Sequence, residues 1–263
     1  MRSTYYYLFK IQFLGFRYSG WQIQQDHKTV EGMLVKTLKF IMPDREFKIM
    51  GAGRTDAKVS GLEAAFELFL KETPLENLSE FKKTLNSNLP ADIKIINIVK
   101  VNKKFNIIKD SILKEYVYLF SSGSKNHPFS APFIAAVQES LDIELMNTGA
   151  SLFVGSHSFR AYTTKDSINR QLTRNVHSCK IIQNDFLLAN FFPEKSYALI
   201  IKADGFLRYQ VRMIMAALID LGKHELTLED IRDSLRPDTT RVFKSIAPGS
   251  GLMLRSLSFR DDL

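Results

Sequence analysis

Eleven residues, Gly51 to Gly61, read G-A-G-R-T-D-A-K-V-S-G and gather more reactive and conformationally permissive groups than any other stretch. Gly51 and Gly53 allow positive φ and close backbone approach. Arg54 adds a permanent planar cation suited to phosphate or carboxylate, and Asp56 places an acid two residues later. Two nucleotide cradles are excluded by spacing. A P-loop needs Gly-Lys-Ser/Thr after four spacers, and a dinucleotide fingerprint needs a third glycine where Asp56 stands. Two readings fit what remains: a tight turn in which Asp56 caps its own backbone, or a loop presenting an acid beside a cation.

The rest of the inventory narrows the chemistry. A single cysteine, Cys179, excludes an internal disulfide framework and any multi-cysteine zinc site. No Cys or His cluster supports a catalytic metal, and no G-x-S-x-G elbow is present. The 263 residues are 45% hydrophobic, enough for one large core or two medium ones. Lys and Arg number 36 against 28 acids, a net charge of +8 that favours a polyanionic partner. One loop carboxylate, flanking arginines, aromatics and a basic chain suit cofactor-free chemistry on a nucleic acid. A small-molecule α/β enzyme using Asp56 is the competing class.

These groups need elements to hold them. Residues 5–13 alternate as a strand, and Gly15–Gln22 forms a glycine-bounded aromatic loop holding the sole tryptophan, Trp21. Trp21 fits an aromatic plug at a strand end and a base-stacking role equally. Thr29 caps a helix whose Val30, Leu34, Leu38 and Ile41 form one stripe, closed by Pro43. Residues 47–50 and 64–70 read as strands on either side of the 51–61 loop. A helix through Leu78, Phe81 and Leu85 ends before Pro90, and 93–101 alternates as a strand. Strand, helix, strand, strand, helix, strand is the ferredoxin-like order, shared with RNA-recognition modules. Residues 1–103 make one such unit, and 104–263 form a second half.

In that half, Lys114–Tyr118 predicts a strand with Tyr116 and Tyr118 on one face, and 121–132 a loop. Residues 142–154 predict a helix closed by Gly155. Strands follow from Thr173 and over 197–203. A helix is expected to open over 204–212, with Leu207, Val211, Ile214, Leu218 and Leu221 on one face and Gly222 at its end. Arg208 and Arg212 then share the opposite flank, a solvated basic face or a binding one. Thr227 opens a short helix, and a last strand follows Leu252. The N-terminus lacks a signal peptide's apolar core and cleavage site. No apolar run approaches the roughly 20 residues of a membrane span, so a soluble, cytoplasmic protein is expected.

Several of these segments carry a family resemblance. G-R-T-D-A followed by a Val and a Gly resembles the catalytic loop of the TruA family of tRNA pseudouridine synthases. Tyr18-Ser19-Gly20-Trp21-Gln22, Asn86-Ser87-Asn88-Leu89-Pro90-Ala91-Asp92-Ile93, Lys114-Glu115-Tyr116-Val117-Tyr118, Gly155-Ser156-His157-Ser158-Phe159, Val211-Arg212 and Ala247-Pro248-Gly249-Ser250-Gly251-Leu252 resemble further family segments along nearly the whole chain. The resemblance implies an α+β fold of two ferredoxin-like halves, with a mainly antiparallel sheet and helices on one side. It implies a cofactor-independent isomerisation of uridine to pseudouridine in the tRNA anticodon arm, by a homodimer. It makes Asp56 the catalytic carboxylate, as nucleophile or as base, with Arg212 to hold it ionised and Tyr116 to stack on the uracil and relay its proton. Arg54, Lys58, Arg208, Trp21 and Phe206 would bind substrate, and no metal is implied.

The chain also departs from the pattern. Lys58-Val59-Ser60-Gly61 stands where the family has G-V-H-G, Ala64 and Glu67 where it has Gln and His, and Ser158 replaces an acid. Ile108 occupies the place of an arginine, and Tyr209-Gln210 replace His-Met. A paralogue that binds or remodels structured RNA without isomerising it is therefore the alternative.

Overall fold

The computed structural model describes residues 3–164 and 172–260. Its contacts divide the chain into two compact units, Met1–Ile112 with Leu254–Leu263, and Leu113–Met253. The architecture is α+β, with mainly antiparallel strand pairing and helices.

The first unit runs β1 (Thr4–Phe13), α1 (Val30–Ile41), β2 (Phe47–Gly51), β3 (Ser60–Lys71), α2 (Leu78–Asn88) and β4 (Ile93–Val101). β1 pairs antiparallel with both β4 and β3, and β2 pairs with the outer edge of β3. That is the ferredoxin-like strand order. Alternation decides which face is covered. Tyr7, Phe9 and Ile11 of β1 and Phe66, Leu68 and Leu70 of β3 are fully buried. Phe9 stacks on Phe66 at 4.6 Å and meets Phe81 of α2 edge-on, so these residues face the helices. Both helices are capped as their sequences require: Thr29 Oγ1 accepts from the Gly32 N–H, and Asn77 Oδ1 from Glu80 N–H.

The second unit takes up β5 (Ser111–Ser122) from Leu113 and continues through β6 (Ala135–Val137), α3 (Ile143–Ser151), β7 (Gly155–Ser158), β8 (Thr173–Gln183), β9 (Tyr197–Ala203), α4 (Gln210–Gly222) and α5 (Leu228–Ser234). β9 pairs antiparallel between β5 and β8, β7 extends β8, and β6 runs parallel to β5. β5, α3, β8, β9 and α4 repeat the order of the first unit. The chain closes with β10 (Leu252–Phe259). Cys179 on β8 is a free, buried thiol whose pKa burial pushes up. Among the described residues no helix is long and apolar enough to cross a membrane, and no group of three His, Cys, Asp or Glu could hold a metal ion.

Two elements differ from expectation. α3 stops at Ser151 rather than running to Val154, and Gly155 (φ +113°) opens β7 instead of merely ending the helix. α4 starts at Gln210, so residues 204–209 precede the helix. The apolar phase of Leu207 suggested an earlier start. The backbone breaks it at Tyr209, which adopts φ +62°.

Candidate active site

The Asp56 loop connects β2 to β3, and backbone from the preceding aromatic loop holds it down. Trp21 N–H donates to the Thr55 carbonyl (3.0 Å), and Lys58 N–H donates to the Tyr18 carbonyl (3.0 Å). The turn itself closes through Val59 N–H on the Asp56 carbonyl at 3.2 Å. Two glycines make this fit possible. A Cβ on Gly15 would lie 1.9 Å from the Val59 carbonyl oxygen, and one on Gly20 (φ +102°) 2.7 Å from that of Thr55. No side chain fits at either place. Asp56 is half-buried on this clamped turn, with Arg54 and Lys58 exposed beside it.

The clamp has its own anchor. Asp92 receives the Arg17 guanidinium (Nε 2.8 Å, Nη2 2.7 Å) and the Tyr18 hydroxyl (2.7 Å), and its carbonyl accepts Leu14 N–H at 2.9 Å. Burial works to raise the Asp92 pKa, but the Tyr18 and Arg17 hydrogen bonds outweigh it, so the carboxyl sits below the usual range. Burial and the bond to Asp92 raise the Tyr18 phenol. The Y-S-G-W-Q and N-L-P-A-D-I segments thus meet, and together they fix the acid's turn. Trp21 belongs to the same packing. It is 3% exposed, tilted against Phe13 at 6.1 Å, and its indole fills the space a Gly51 side chain would take. An indole so covered fits the plug reading rather than an open stacking platform.

Three departures acquire physical roles here. Lys58 sits at φ +65°, a left-handed conformation that glycine adopts without strain, which accounts for the glycine of the family pattern. Its ammonium lies over the Phe16 ring at 5.6 Å. Ser60 Oγ is buried and accepts the Gly15 N–H at 2.9 Å, adding a third tie between clamp and loop. Glu67 of β3 is fully buried, with Oε2 accepting Ile107 N–H at 3.2 Å and Oε1 lacking a hydrogen-bond partner. Burial raises its pKa.

The second unit assembles Tyr116, Phe206, Arg208 and Arg212. Tyr116 lies in β5 opposite Ile201 of β9 and is half-exposed, with Phe206 edge-on to its ring at 5.3 Å. Arg208 and Arg212 are not one turn apart on a helix, because Arg208 precedes α4. Both guanidiniums instead lie over the Tyr209 ring, at 4.8 and 5.4 Å. Tyr209, with its left-handed backbone, is the residue that breaks the helix phase, and its ring is shared by the two cations. Gln210 secures the turn by accepting Leu207 N–H on Oε1 at 2.7 Å. Arg212 Nε donates to the Ala247 carbonyl (2.7 Å), and Ala247 N–H returns a bond to the Arg212 carbonyl (3.1 Å). The A-P-G-S-G-L segment is itself tied to β5, since the Tyr118 hydroxyl donates to the Pro248 carbonyl at 2.9 Å. Two cations at a helix N-terminus make an anion-seeking end.

Sequence reasoning named these residues but missed what positions them: Gly15, Ser60 and Asp92 in one unit, Tyr209 and the Ala247 carbonyl in the other. Except for Tyr209, whose partners are its sequence neighbours Arg208 and Arg212, their partners lie 35 to 75 residues away, beyond any local pattern. His157 bonds the neighbouring Val154 carbonyl, as a structural histidine does.

Comparison with known proteins covers both units. A family model described as tRNA pseudouridine synthase matches residues 150–260. A Thermodesulfovibrio yellowstonii protein named tRNA pseudouridine synthase A is 33% identical over 258 residues, 95% of this chain and 97% of that one. A Bacillus thuringiensis subsp. konkukian protein named tRNA pseudouridine synthase A 2 is 30% identical, covering 96% and 99%. A Dictyoglomus thermophilum tRNA pseudouridine synthase A is 29% identical, covering 95% and 98%.

Proposed function

The chain belongs to the tRNA pseudouridine synthase A family, and from that membership we propose that it isomerises uridine to pseudouridine in the anticodon stem-loop of tRNA. The observation that carries the residue assignment is the clamped turn. Asp56 sits where the backbone is over-determined by bonds from Tyr18 and Trp21, as a group needing fixed geometry must.

The reaction breaks C1′–N1, rotates the uracil and forms C1′–C5. The C5 proton leaves and N1 gains one, so redox state is unchanged and no cofactor is consumed. Asp56 is the carboxylate for this step, as nucleophile or as base. Arg212 keeps it ionised and oriented during the reaction. Tyr116, supported edge-on by Phe206, stacks on the uracil and relays the C5 proton. Arg54, Lys58 and Arg208 hold phosphates around a flipped nucleotide. Trp21 acts by fixing the loop. The working form is a homodimer in the cytoplasm.

Release of tritium from tRNA labelled at uridine C5 tests this. Wild type should release label, and Asp56→Asn should lose at least about 10³-fold in rate while still binding tRNA. A second reading, an RNA-binding paralogue, draws on the exposed Ile108 where the family has an arginine. Binding without release by wild type would establish it and sink the enzyme reading.

A further inference from the structure

The first unit holds another convergence of aromatic and basic groups, at the opposite end of its sheet from the Asp56 loop. β3 runs from Ser60, beside that loop, to Lys71. Eleven strand steps separate the two ends by roughly 35 Å. At the far end lies a pocket of about 530 Å³, whose lining includes Tyr6, Lys48, Phe69, Lys71, Lys103 and Phe105.

Register shows how it is built. Tyr6 on β1 pairs with Phe69 on β3, and Phe69 pairs with Lys48 on β2. These three side chains therefore form one row across neighbouring strands, on the face opposite the helix-covered Tyr7, Leu68 and Leu70. Tyr6 and Phe69 meet edge-on at 5.7 Å, and both remain partly exposed. Lys71 lies two residues along the same face, its ammonium donating to Thr4 Oγ1 at 3.3 Å. Lys48 and Lys103 are exposed at the rim. One acid, Glu46, also lines the pocket, leaving three cations against one anion. Further along this face Leu8 and Glu67 are buried, so the accessible aromatics are confined to this end of the sheet. Aromatics on the two central strands of a ferredoxin-like sheet, on the face opposite its helices, are how RNA-recognition modules stack unpaired bases. Lysines around such a platform supply the sequence-independent grip on phosphate.

We propose that this pocket is a second RNA-contact site. It takes an unpaired nucleotide lying outside the target loop, its base against Tyr6 and Phe69 and its phosphates on Lys48, Lys71 and Lys103. The inference rests on the tRNA-modifying reading for its substrate. An RNA reaching both places extends well beyond the loop that carries the target uridine.

The test compares binding of a full-length tRNA transcript with that of the isolated anticodon stem-loop, over a salt series. The variants are the exposed-lysine double substitution K48A/K103A, Tyr6→Leu and Tyr6→Phe, each checked for folding by circular dichroism. The lysine variant should bind full-length tRNA about tenfold more weakly and flatten its salt slope by roughly one per lysine. Binding of the stem-loop should change less than about twofold. Tyr6→Leu should weaken full-length binding by roughly tenfold without altering the salt slope, and Tyr6→Phe should restore it. Equal losses on both RNAs, or no loss on either, would overturn the proposal. Failure of the wild type to release tritium would instead sink the isomerase reading, while the binding comparison still decides the pocket.

Discussion

The Asp56 loop and the entrance to α4 solve the same problem in opposite ways. Each presents a charged group at a turn, and each contains a non-glycine residue with a left-handed backbone, Lys58 and Tyr209. In the first unit the turn is held mostly by main chain on main chain, with two glycines pressed flat against it. In the second, side chains do the holding: a glutamine carboxamide, a tyrosine ring under two guanidiniums, and an arginine on a carbonyl. A backbone clamp tolerates varied side chains but admits no added atom. A side-chain clamp admits atoms but depends on identity.

That contrast can be broken most forcefully at Gly15. Gly15→Ala puts a methyl 1.9 Å from the Val59 oxygen, which should destabilise the first unit by about 3 kcal/mol. Urea unfolding would show it, with tritium release falling in step. Tyr209→Gly should separate the two quantities. It relieves about 1 kcal/mol of left-handed strain, yet release should fall roughly tenfold as both guanidiniums lose their platform. A parallel loss of stability and activity would make Tyr209 only a packing residue.

Smaller effects sharpen the picture through pH. The raised Glu67 pKa means the folded state prefers the protonated acid. Its stability contribution is complete below the unfolded value near 4.3 and is lost as pH rises through the folded one. Glu67→Gln should therefore raise the unfolding midpoint at neutral pH, and the gain should vanish in acid. Asp92 behaves inversely, its folded pKa being depressed. Its contribution is present above the unfolded value near 3.9 and is lost as pH falls through the folded one. Asp92→Asn should thus cost stability at neutral pH and little in acid. Smallest of all, Lys58→Gly should stabilise by about 0.5–1 kcal/mol, a rise of a few degrees in Tm at most.

What was legible in the sequence follows from the range of the forces involved. α1 and α2 carry caps and apolar stripes, so their local patterns agree with their tertiary roles, while β4 alternates only in part and β9 is buried through its middle. β6 and β7 are three and four residues long, too short for a period to declare itself. The start of α4 misled because Leu207 stands four residues before Val211, a helical spacing, although residues 204–209 all precede the helix and Tyr209 has a left-handed backbone. Asp56, Tyr116 and Arg212 stood out through the segments around them. Ser60 did not, since its meaning lies in a glycine 45 positions earlier. Lys58 read as a possible phosphate contact, and its unusual φ could not be seen without the turn.

Cys179 gives the experimenter a private view of one half of the molecule. It is the chain's sole thiol, buried on β8 of the second unit opposite Ile201 of β9. A sulfhydryl reagent can reach it only when the packing over it opens, so labelling rates clock the second unit's breathing and leave the first unit silent. Selectively excited tryptophan fluorescence does the reverse, because the lone indole, Trp21, resides in the first unit. Nature has thus supplied an orthogonal pair of reporters, and the folding of the two halves can be followed in one cuvette without adding a probe.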